Sequence, residues 1–143
     1  MHQRHTVALA SANAGDFIAA AIHFQKAVDV ASDPYYKSLA IRSNAEFLFV
    51  EQKFDEGRDQ FKKAITSLSV SDDLVRRYTN GVTYQRWAAA EMNFANSPKR
   101  AQELFESAKN EFSGIDIGMI RTKALYDLGV VMKSYGFEIP PSP

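Results

Sequence analysis

The sequence predicts an all-α fold of antiparallel helical hairpins, about three hairpins plus a terminal helix. Three observations lead there. Apolar residues recur at three- and four-residue spacing along most of the chain, and strand-like alternation is scarce. Helix start and stop signals punctuate the chain at short intervals. One cluster of small and aromatic residues occurs three times.

The punctuation sets the elements in order. Gly15–Asp16 separates a first helix near residues 4–14 from a second near 17–31. Asp33–Pro34 opens the third, because Asp accepts from freed backbone N–H groups and proline has no N–H to lose there. That helix is expected to reach Gln52, and the next to run from Phe54 to Leu68. Ser71–Asp72–Asp73 places a cap and two carboxylates at the positive end of a helix dipole. The helix that follows extends to about Ala95, with Asn80–Gly81 as its expected weak point. Ser97–Pro98 opens another in the same way, closing at Gly114, and a last helix covers about 116–135 with Gly136 as its stop. Residues 138–143 hold three prolines and are expected to be an irregular tail after a single domain over 1–137.

The repeat is the strongest pattern. Ala20–x3–Phe24–x2–Ala27 recurs as Gly57–x3–Phe61–x2–Ala64 and as Ala101–x3–Phe105–x2–Ala108. Positions three, four and seven apart share one helical face. Small residues let a neighbouring helix approach, and the aromatic fills the gap beside it. A partner helix precedes each copy, marked by Val7–Ala8–x2–Ser11, Asn44–Ala45–x2–Leu48 and Ala88–Ala89–x2–Met92. Leu125–x2–Leu128–Gly129–x2–Met132 is a fourth helix of that first kind.

Composition excludes several classes. The chain has 143 residues, with 17 Lys or Arg, 17 Asp or Glu and no Cys. One domain of this length buries a core without metal or disulfide. Thiol catalysis and cysteine-ligated metal are ruled out. A net charge of zero lacks the basic surplus that nucleic acid and acidic membranes attract. No apolar run approaches the roughly 20 residues that span a bilayer. The Ala-rich stretch Thr6–Ala10 is too short and too interrupted for an export core. The expected location is the cytoplasm.

Paired helices with this small/aromatic pattern resemble tetratricopeptide repeats (TPR), whose pattern is W-x2-L-G-x2-Y, then A-x3-F, then P over about 34 residues. The resemblance spans roughly residues 4–137 and is fullest at Gly15–Asp16–Phe17–x2–Ala20–x3–Phe24–x2–Ala27 and at Leu125–x2–Leu128–Gly129. Elsewhere it is degenerate: Arg4, Ile41, Gln85 and Leu125 stand where an aromatic opens each first helix. It implies a right-handed superhelical array whose first helices line a concave groove. Carried onto this sequence, the groove positions are His2, His5, Leu9 and Asn13; Leu39, Arg42, Glu46 and Phe49; Thr83, Arg86, Ala90 and Asn93; and Lys123, Tyr126, Val130 and Lys133. Of these, His5, Arg42, Glu46, Phe49, Arg86, Asn93, Lys123, Tyr126 and Val130 are the candidate partner-binding residues. Arginine offers a planar fork for a carboxylate, and aromatics supply contact area at low entropy cost. The implied function is a protein-interaction scaffold that binds a peptide or partner helix. The positions at which related domains grip a chaperone's C-terminal carboxylate hold His5, Leu9, Ser43, Thr83 and Trp87, none of them the required residue.

Other readings of the residues are weaker. His2 and His5 could share a helical face, yet a structural zinc needs four ligands. Asp55, Glu56 and Asp59 alternate with Lys53, Arg58, Lys62 and Lys63 as a solvated helix face does. Arg76–Arg77, Tyr78, Tyr84 and Arg86–Trp87 form one basic-aromatic cluster without the net charge that accompanies nucleic-acid binding. No nucleotide, hydrolase or metalloprotease motif is present, so neither an enzyme nor a cofactor is expected. In the last helix, Ile120, Ala124, Leu128, Val131 and Tyr135 share one face, and Met119, Tyr126 and Val130 lie opposite. A helix apolar on two sides has two neighbours. The second is a bound peptide, another copy of the chain in a homodimer, or further domains of a larger regulatory or sensor protein; equally open is that Tyr126 and Val130 lie half-buried against the preceding hairpin and need no second neighbour.

Overall fold

The computed structural model describes residues 33–69 and 72–138, and every regular element among them is an α-helix. The chain divides into two compact units, residues 1–71 and 72–143. The first contains α1 (Pro34–Val50) and α2 (Phe54–Thr66); the second contains α3 (Asp73–Asn93), α4 (Pro98–Ser113) and α5 (Gly118–Ser134). The helices expected near 4–14 and 17–31, the repeat copy at Phe24, His2, His5 and most of the tail lie outside the described residues.

Side-chain caps set two of the five described helix starts. Asp33 Oδ1 accepts from the Tyr35 N–H at 2.8 Å, with Pro34 as the first helical residue. Asp72 Oδ1 accepts from Leu74 N and Val75 N at 3.0 and 3.4 Å. Ser97 departs from expectation: its side chain makes no cap, and its N–H instead donates to the Glu91 carbonyl at 2.9 Å, tying the turn back to α3. At the end of α5, Gly136 N bonds Lys133 O and Phe137 N bonds Met132 O, both at 3.0 Å. With φ 85° at Gly136, that is a Schellman stop. Helix ends fall two residues short of expectation in α1, α2 and α3, where Gln52 and Asn96 turn the chain at positive φ after α1 and α3.

In the first unit, α1 and α2 form a hairpin closed by aromatics. Phe61 and Ala64 of α2 are fully buried, as are Ala45 and Phe49 of α1. The Phe49 ring packs on Phe54 and Phe61, with centroids 5.5 and 5.7 Å away. It sits where a side chain at position 57 would be: a Cβ on Gly57 would meet it at 2.7 Å. Buried Ser38 donates to the Ala64 carbonyl at 2.8 Å, fastening the far end of the hairpin. Ala40, Ser43 and Phe47, on the other side of α1, are buried as well.

The second unit repeats this closure with the roles reversed. Gly81 lies in the first helix of the pair, and a Cβ there would collide with the Phe112 ring of α4. So Asn80–Gly81 is no weak point. Helix α3 runs unbroken through it, because the missing side chain is the seat of a phenyl ring. Ala88, Ala101, Phe105, Ala108, Phe112 and Ile115 form one core with Ala124, Leu128 and Met132 of α5. Phe105 also carries Tyr135 and Phe137 at 6.2 and 5.5 Å, anchoring the residues after α5.

Burial of the repeat's aromatic predicts a sharp contrast in stability. Phe61→Ala and Phe105→Ala are each expected to cost about 3–5 kcal/mol, the range for a large ring removed from a filled core. Phe94→Ala, at an exposed position, is expected to cost well under about 1 kcal/mol. Urea denaturation followed by far-UV circular dichroism checks all three.

Candidate functional site

Helix α5 has two unlike faces. Ala124, Leu128 and Met132 recur every fourth residue and are buried in the core. Almost directly opposite, Met119 is 86% exposed, Tyr126 70% and Val130 54%. Large apolar side chains scattered singly over a surface are ordinary. Three on one helical stripe are a face.

That stripe is edged by charge. Lys123 Nζ donates to both carboxylate oxygens of Asp127 at 2.8 Å, an i,i+4 pair. The hydrogen bond and the charge of Asp127 raise the ammonium above the ordinary lysine value, with Tyr78 and Tyr126 adding smaller contributions. Beside the stripe, α4 and α5 leave a cleft of about 570 Å³. Phe105, Leu125, Leu128, Gly129 and Met132 make it apolar, while Tyr126, Val130, Thr122, Glu106, Lys109 and Lys133 also line it.

The remaining expected groove residues are placed differently. Phe49 is a correction: its ring is in the hairpin core and presents no aromatic anchor. Thr83 and Ala90 are buried too, with Thr83 Oγ1 donating to the Thr79 carbonyl at 3.0 Å. Arg42 and Glu46 are half-buried on α1, and Arg86 and Asn93 are exposed on α3. Lys123, Tyr126 and Val130 lie together on α5. Sequence reasoning missed Lys109 and the cleft, which need α4 and α5 side by side. The i,i+4 spacing of Lys123 and Asp127 was the legible signal that this lysine has a partner.

The basic-aromatic cluster of α3 is occupied by its own unit. Arg76 bonds Asp73, and Arg77 reaches Asp73 at 3.3 Å and Glu111 at 3.4 Å. Trp87 is buried, and its Nε1 donates to Glu91 Oε2 at 3.0 Å. Tyr84 stacks on Trp87, with centroids 6.4 Å apart and planes 7° from parallel. Arg58–Asp55 and Lys63–Asp59 pair along the exposed side of α2 at 3.2 and 3.4 Å. Among the described residues no three His, Asp or Glu side chains come together to hold a metal, and no helix is long and apolar enough to cross a membrane.

No protein-family model matches the chain, and comparison with curated proteins and with solved structures finds no significant match.

One titration follows from the α3 geometry. Burial, and then the charge of Glu111, push the Tyr84 phenol above its ordinary value. Folding therefore favours the neutral phenol. Stability from this group is complete below about pH 10 and falls as pH rises through the folded-state value. Tyrosinate absorbance against pH is expected to lose a late component in Tyr84→Phe; a late component that persists in that variant contradicts this.

Proposed function

We propose that the chain is a protein-interaction module that binds a segment of another protein along α5. One observation carries this: Met119, Tyr126 and Val130 stand in solvent on a helix whose opposite face is locked into a core. The buried face fixes the helix, so the exposed face meets a partner already ordered, and binding costs little rearrangement of the receptor. The adjoining apolar cleft offers a pocket for an anchoring side chain.

For the whole chain, we infer a TPR-like, right-handed array of hairpins whose first helices line a groove. The two described hairpins support it through their shared design. Each sets a first helix against a second that carries the small–Phe–Ala cluster: Gly57, Phe61 and Ala64 in one, Ala101, Phe105 and Ala108 in the other. Arg42, Glu46, Arg86 and Asn93 would supply polar contacts along the first helices.

The test uses peptides selected against the wild-type chain from a display library. Tyr126→Glu with Val130→Glu is expected to weaken their binding at least tenfold, about 1.4 kcal/mol. Circular dichroism and the denaturation midpoint should stay near wild type, since both side chains are exposed. Unchanged affinity would place the binding surface elsewhere.

A further inference from the structure

We propose that the occupant of the α5 face is an acidic amphipathic helix from another protein. This rests on reading that face as a docking surface and adds the chemistry of its partner. Spacing argues for a helix. Met119, Lys123, Tyr126, Val130 and Lys133 follow one another at intervals of four, three, four and three residues. At about 100° per residue they fall within an arc of about 80°. This is the repeat by which one helix seats its side chains between those of another. The stripe is about 21 Å long, matching a partner helix of about four turns.

Charge argues for an acidic partner. Lys109, Lys123 and Lys133 border the stripe and its cleft, against Glu106 and Asp127. Lys123 and Asp127 satisfy each other. Lys109 and Lys133 have no carboxylate partner among the described residues and Glu106 has no basic one, so the lining keeps an excess of positive charge. A partner bringing glutamates or aspartates to the flanks of an apolar stripe would pair with both ammonium groups. A second copy of the chain would not. Antiparallel pairing of α5 with itself about Tyr126 sets Lys123 opposite Val130 and Lys133 opposite Met119. That sets no carboxylate of the stripe opposite either lysine and doubles the excess of positive charge. Charges arranged so favour a complementary partner and disfavour self-association.

The experiment selects 16-residue peptides from a random display library on the full chain, with counter-selection on Tyr126→Glu. Expected are peptides with Leu or Phe at three- and four-residue spacing and an excess of Asp and Glu. Their synthetic forms should lose at least tenfold in affinity against Lys109→Glu/Lys133→Glu and weaken as salt rises. If that double variant fails to fold, Lys133→Gln and the salt titration carry the test. Tyr126-dependent peptides that are neutral or basic, or are indifferent to charge reversal and salt, overturn the acidic partner while leaving the docking face standing. An absence of Tyr126-dependent peptides overturns both. A concentration-dependent dimer that Tyr126→Glu dissolves overturns the acidic partner in favour of a second copy.

Discussion

Each described hairpin closes on a phenyl ring seated over a glycine. In the first unit Phe49 of α1 rests on Gly57 of α2; in the second, Phe112 of α4 rests on Gly81 of α3. The donor of the ring and the donor of the gap exchange places, yet the geometry is the same. Helix axes approach closely where one of them carries a small side chain or none, and a flat ring then fills the space that two ordinary side chains would contest. Close packing of this kind tolerates little change of volume. What it fixes is the register of one helix against the other.

Register is what turns a helix surface into a site. With α3 and α4 held together, Phe105, Ala108 and Phe112 present a continuous apolar wall, and α5 lays Ala124, Leu128 and Met132 against the core it belongs to. The rotation of α5 about its axis is then no longer free. Tyr126 and Val130 face outward because the residues two positions away face inward. The cleft beside them is bounded by Lys109 on one helix and Lys133 on the other. A binding face on such a support keeps its shape before any partner arrives.

The sequence was most legible where the chemistry is local. Asp33–Pro34 and Ser71–Asp72–Asp73 announce their helices because a carboxylate two residues from a free N–H is sufficient cause, although in the second the cap is Asp72, one of the two carboxylates, where the serine was expected. The two faces of α5 were readable from spacing alone. Legibility ended where a residue's meaning depends on its neighbour. Phe49, Thr83 and Ala90 occupy positions assigned to a groove, but a helical stripe does not say which neighbour it meets: Phe49 meets the hairpin core, and Thr83 and Ala90 are buried. Asn80–Gly81 reads as a break until the Phe112 ring is placed above it. Lys109 is unremarkable on α4 alone and becomes part of a site only with α5 alongside.

The interlock itself is open to a double-mutant cycle on Gly81 and Phe112, measured as unfolding free energies. Gly81→Ala in the wild-type chain is expected to cost about 1–3 kcal/mol, as overfilling a packed core does. In a Phe112→Ala background the same change should cost nothing, or stabilise by up to about 1 kcal/mol through the better helix propensity of alanine. Equal costs in the two backgrounds would show that the ring does not sit over the glycine, and the register of this hairpin would need another cause.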